Sequence, residues 1–206
     1  MTPTRTRLHT LGAVALLSAV VALAGCDKGL PGPQASFKSV DITGAEYGRT
    51  LALPDASGTP RTLADFKGKV SVVFFGYTHC PDVCPTTLAE LAEVKAMLGK
   101  DGERVQAVFV TVDPERDTAP ILEAYMNNFG PGFIALRGTP EQTAAAAREF
   151  KVFYMKVPGK TEGSYTVDHT AGSYVIDAKG RLRLFARYGM PADALASDLK
   201  QLLAEG

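Results

Sequence analysis

Gly76-Tyr77-Thr78-His79-Cys80-Pro81-Asp82-Val83-Cys84-Pro85-Thr86-Thr87-Leu88 is the stretch that the rest of the chain serves. Just ahead of it, Val70-Ser71-Val72-Val73-Phe74-Phe75 is almost wholly apolar and rich in β-branched and aromatic side chains, the composition of a buried strand. Behind it, Leu88, Leu91, Val94 and Leu98 recur at helical spacing, which predicts an amphipathic helix. Two cysteines therefore stand where a strand hands over to a helix. Pro85 has no N–H to leave unsatisfied and suits a first helical turn. Cys84 is thus expected close to the cap, with Cys80 in the loop before it. A helix start offers partial positive charge and free N–H groups, and both favour thiolate over thiol.

The N-terminal segment is read apart from this core. Arg5 and Arg7 precede an apolar run from Leu11 to Leu23, the layout of a secretory signal and too short for a comfortable membrane span. The run ends in Leu23-Ala24-Gly25-Cys26, which resembles the lipobox of bacterial lipoproteins and makes Cys26 the expected site of lipid attachment. The organisation expected is a signal peptide over 1–25, a flexible Gly- and Pro-containing membrane tether over 26–47, and a folded domain over 48–206. Asp27 after the lipid cysteine resembles a retention signal for the bacterial inner (cytoplasmic) membrane. The domain would then face the periplasm or the cell exterior.

Composition narrows the chemistry. The chain of 206 residues carries 22 Lys+Arg against 22 Asp+Glu, and residues 1–25 remove two arginines and no acid. A near-neutral, slightly acidic domain gives no reason to expect nucleic acid as a partner. Of three cysteines, one is assigned to lipid and two are left as a pair that an oxidising compartment can close into a disulfide. A loop so small would staple little.

Farther along, Arg49–Leu53 reads as a short strand and Asp55-Ala56-Ser57-Gly58 as a turn, with Leu63 and Phe66 on a short helical turn. Val105–Val112 is strand-like, a helix from Pro120 carries Leu122, Tyr125, Met126 and Phe129, and Phe133–Leu136 is a strand. Thr139-Pro140-Glu141-Gln142 has the form of a capping box. Strand is then expected over 152–155, loop over 158–164 and again up to Thr170, a hairpin turning at Ala178-Lys179-Gly180, and a last helix from Pro191. Met126, Met155 and Met190 are read as core filler. This order predicts an α/β, thioredoxin-like fold: a central mixed sheet flanked by helices.

Thioredoxin-type redox sites place two residues between their cysteines, commonly behind a Trp. Here there are three, and the chain has no Trp. The longer spacer suits chelation by two soft thiolates, which favour Cu(I), Zn or an iron–sulfur cluster. His79 and His169 are the histidines available outside the signal segment. His79 is expected to face away from Cys80, and His169 taken alone reads as an ordinary loop histidine.

The motif around Cys80, then Val112-Asp113-Pro114-Glu115-Arg116-Asp117, then Val167-Asp168-His169-Thr170, together resemble the Sco/SenC family over about Gly48 to Leu203. The resemblance implies a membrane-tethered copper metallochaperone that assists assembly of the copper centre of cytochrome c oxidase. Its partner would be the copper-accepting subunit of that oxidase. Cys80, Cys84 and His169 occupy the family's copper-ligand positions, and Cys80 and Cys84 would also form a redox-active disulfide. Asp168, beside His169, is expected to fix that ring. Asp113 reads equally well as a group behind the ligands that orients them or docks a partner, and as ordinary structure. Asp117 has the same two readings, as a group that orients ligands or docks a partner and as ordinary structure. The rival reading is a thiol–disulfide oxidoreductase acting on the cysteines of the oxidase subunit.

Overall fold

Residues 36–206 are described by the structure, a computed structural model of the chain. The expected signal segment, the lipid site Cys26 and the start of the tether lie outside the described residues. Strand β1 (Val40–Asp41) is followed by a hairpin of β2 (Ala52–Pro54) and β3 (Pro60–Thr62) and a 3-10 turn over Leu63–Phe66. The Val70 run forms β4 (Val70–Gly76), buried at every position, and the helical pattern forms α1 (Val83–Met97). Then come β5 (Val105–Thr111), α2 (Ala119–Asn127), β6 (Phe133–Leu136) and α3 (Pro140–Glu149). The chain closes with β7 (Tyr154–Pro158), β8 (Tyr165–His169), β9 (Gly172–Ile176), β10 (Leu182–Arg187) and α4 (Ala192–Ala204).

Six strands make one mixed sheet in the order β1-β10-β9-β4-β5-β6. β4, β5 and β6 run parallel, while β9 lies antiparallel to β4, and β10 to β9. Successive β4 side chains leave opposite faces. Phe74 meets Phe109 on one side, and Phe75 meets Phe150 and Tyr174 on the other. This double burial explains why β4 lacks the alternation of a surface strand. The capping box forms as expected: Thr139 N–H donates to Gln142 Oε1 at 2.9 Å, and Gln142 N–H to Thr139 Oγ1 at 3.3 Å.

Three expectations are corrected. The tether does not extend to residue 47, because the folded unit begins at Phe37. Val40 and Asp41 pair with Phe185 and Leu184, and Ile42 N–H donates to Arg183 O at 2.8 Å. The buried carboxylate of Asp198 on α4 accepts Lys38 N–H at 2.8 Å and Ser39 N–H at 2.7 Å. A two-residue edge strand is too short to show a period, which is why composition alone reads it as linker. The second correction matters more for the site. Residues 165–169 are not loop but β8, paired in register with β7, so that Tyr154 faces His169 and Met155 faces Asp168. Alternation then sends Val167 inward and leaves Thr166 and Asp168 exposed. Met155, expected in the core, is half exposed.

Candidate metal centre

β4 ends at Gly76, and the next residues carry Cys80 to the start of α1. The end of β4 must be glycine for a packing reason. A Cβ there would lie 2.9 Å from Cys84 Sγ, from Phe109 Cε2 and from Phe74 Cε1. The missing side chain is the space into which the Cys84 sulfur fits. Cys84 lies within the first turn of α1 and is buried, whereas Cys80 is half-buried in the loop.

The two sulfurs therefore have different environments. Asp82 occupies the N-cap of α1 but makes no side-chain cap hydrogen bond. Instead, Cys84 N–H donates to Cys80 Sγ at 3.4 Å, so the loop cysteine receives a free donor of the helix start. For Cys84 the expectation of a favoured thiolate is reversed, since burial pushes its thiol up. The helix terminus acts on one sulfur while desolvation dominates the other.

His169, the last residue of β8 in the separate β7–β8 ribbon, brings its ring to the pair. Its Nε2 lies 3.4 Å from Cys84 Sγ, and its Nδ1 lies 3.1 Å from Thr170 O. A carbonyl can only accept, so Nδ1 carries the ring proton and Nε2 presents a lone pair toward the sulfur. Burial pulls the imidazole down, which keeps it neutral near pH 7. A neutral thiol facing this lone pair donates its proton to it, and a cation held by both groups would take that proton's place. The ring is walled edge-on by Phe74 at 5.9 Å and Tyr77 at 6.0 Å between centroids. The ligand atoms of Cys80, Cys84 and His169 all lie within 4.8 Å of one another, a set that can hold a metal ion.

The neighbouring acids divide differently from the sequence reading. Asp168 does not fix the His169 ring: it is exposed, and the Nδ1 partner is Thr170 O. Asp113 is fully buried and acts on the hairpin rather than on a ligand. It accepts from Tyr165 OH at 2.9 Å and from Arg116 Nε, while Arg116 Nη1 donates to Tyr165 O at 2.9 Å. The Arg116 guanidinium lies 3.6 Å from the centre of the Tyr165 ring, fastening the start of β8. Asp117, also fully buried, holds the cysteine loop itself. It accepts from Thr78 Oγ1 at 2.6 Å, from Thr78 N–H at 3.1 Å and from Thr111 Oγ1. His79 is half exposed, with Nδ1 3.1 Å from Thr78 Oγ1, and is not in the donor cluster.

Comparison with known proteins gives a consistent picture. A family model described as SCO1/SenC matches residues 40–204, a span that takes in β1. The SCO2-like protein of Rickettsia felis is 36% identical over 150 residues, covering 72% of this chain and 73% of that protein. The structure of Bradyrhizobium japonicum ScoI with copper bound aligns with a TM-score of 0.70 at 42% identity, over 77% of this chain and 100% of that one. Arabidopsis thaliana ScoI with copper bound aligns with a TM-score of 0.72 at 32% identity, over 79% and 100% of the two chains. With its mixed sheet and flanking helices, the fold is thioredoxin-like, as the element order predicts.

Proposed function

The chain belongs to the SCO1/SenC family, and on that premise we propose that it is a copper metallochaperone that takes one copper ion on Cys80, Cys84 and His169 and assists assembly of the copper centre of cytochrome c oxidase. Copper is its cargo, and the copper-accepting oxidase subunit is its partner. The observation that carries this reading is the convergence of two sulfurs and one imidazole nitrogen within 4.8 Å. Two thiolates and an imidazole are a soft-to-borderline set suited to Cu(I) and, with a weak further ligand, to Cu(II). The copper-bound ScoI relatives support the choice of metal.

Among the described residues no helix is long and apolar enough to cross a membrane. Attachment at the bacterial inner membrane would come through lipid on Cys26, with residues 27–36 as the tether. Mass analysis of the membrane fraction tests this, and an unmodified Cys26 in the mature protein would refute it.

The test of the ligand set is copper affinity in both oxidation states. His169→Ala is expected to weaken Cu(II) by about tenfold or more and Cu(I) much less, because two thiolates hold Cu(I) in linear geometry. If both affinities survive unchanged without His169, the third ligand is wrongly assigned.

A second reading has its own observation: Cys80 Sγ accepts the N–H of Cys84, which brings the two cysteines together. As a thiol–disulfide oxidoreductase, the dithiol would pass two electrons and two protons to a partner disulfide and close into its own. Turnover of a disulfide substrate by metal-free protein distinguishes the two. Rapid turnover that is indifferent to His169→Ala would favour the oxidoreductase.

A further inference from the structure

Among the described residues, three buried side-chain polar atoms have no hydrogen-bond partner: Arg116 Nη2, the Tyr125 hydroxyl and Thr143 Oγ1. An unmade buried hydrogen bond is costly, so each such atom calls for a reason. Tyr125 has the most informative surroundings. Its ring stands on α2, edge-on to Phe109 at 5.9 Å and to Phe129 at 5.3 Å. Phe109 is the residue whose edge, together with Cys84 Sγ, borders the space above Gly76. Tyr125 thus stands behind Phe109 on the face of the sheet that holds the buried sulfur.

The electrostatics agree with this placement. Burial is the main cause pushing the phenol up, and negative charge on Cys84, Cys80 or Asp117 pushes it further whenever those groups are ionised. The phenol therefore keeps its proton and is a donor. Of those three groups, Asp117 already accepts from Thr78 N–H and from the hydroxyls of Thr78 and Thr111. The sulfurs are the groups with acceptor capacity to spare. A neutral thiol accepts hydrogen bonds weakly, whereas a thiolate accepts them strongly.

We propose that the Tyr125 hydroxyl is a donor held in reserve for the Cys80–Cys84 sulfur pair, engaged when copper replaces the thiol protons. This inference rests on the copper-binding reading above. Tyr125 is then a positioning residue: it touches sulfur rather than metal and disperses the negative charge of a copper–dithiolate unit. It also gives up hydrogen bonding in the metal-free protein to have a donor ready in the loaded one.

The test is Tyr125→Phe, which removes the hydroxyl and keeps the ring. Three measurements are made beside wild type and Cys80→Ala: thermal midpoint of the reduced metal-free protein, Cu(I) affinity against a competing chelator, and the sulfur-to-copper charge-transfer band of the Cu(II) form. Tyr125→Phe is expected to be at least as heat-stable as wild type without metal. It should bind Cu(I) roughly tenfold more weakly, since hydrogen bonds to charged groups are among the stronger ones. Its charge-transfer band should move to lower energy, because a sulfur that loses a hydrogen bond is easier to oxidise. A lower metal-free midpoint would show that the hydroxyl already has a partner, and would overturn the proposal. Unchanged affinity and an unmoved band would overturn it too, while copper bound tightly by wild type and not by Cys80→Ala would leave the chaperone reading standing. If wild type binds no better than Cys80→Ala, both fall together.

Discussion

Cys80→Ala is expected to lower Cu(I) affinity by well over the ~10–100-fold that loss of an outer partner of a metal ligand costs, since it removes one of two thiolates outright. The fold should tolerate the change. Cys80 is half-buried in a loop, and the Cys84 N–H that its sulfur accepts lies in a first helical turn. Cys84→Ala should lose affinity equally but also some stability, because Cys84 is fully buried against Gly76 and Phe109. Competition with a Cu(I) chelator, alongside thermal unfolding of each variant, separates the two effects. Affinity that survives in Cys80→Ala would remove the loop sulfur from the site.

The largest effect on stability is expected at Asp117. Its carboxylate is fully buried and accepts three donors, Thr78 N–H, Thr78 Oγ1 and Thr111 Oγ1. Leaving a buried donor unpaired costs about 1–3 kcal/mol, so Asp117→Ala should cost about 3 kcal/mol or more. Asp117→Asn, which keeps one acceptor oxygen, should fall between. Because Thr78 leads directly into Cys80, the loss should also speed amide exchange from Tyr77 to Pro81. Denaturant unfolding gives the first quantity and hydrogen exchange the second. An unchanged unfolding midpoint in Asp117→Ala would mean that the cysteine loop is anchored by something else.

How far the sequence carried depends on how local each signal was. β4, α1 and the capping box at Thr139 rest on short windows whose pattern survives any tertiary context, and they stand where expected. Cys80, Cys84 and His169 converge, yet His169 taken alone carries no signal, and the family resemblance of Val167-Asp168-His169-Thr170 singled it out. What could not be read was set by distant partners. β1 exists because β10 and Asp198 receive it. β8 looks like loop because Thr166 and Asp168 face solvent, while its pairing with β7 makes it a strand. Asp117 and Asp113 sit in one motif, but only their hydrogen bonds show that the first anchors the cysteine loop and the second the hairpin. The thiolate argument failed for Cys84 because the sequence shows a helix start and not the Gly76 hollow that buries the sulfur beside it.

On the copper-chaperone proposal, two sulfurs and one imidazole, brought from a loop, a helix start and a strand end, hold a single copper ion. X-ray absorption of the reduced protein loaded with copper tests it most directly. One copper per chain is expected, with two sulfur scatterers and one histidine nitrogen, the nitrogen vanishing in His169→Ala. A copper shell that lacks sulfur, or that is the same in Cys80→Ala as in wild type, would contradict it.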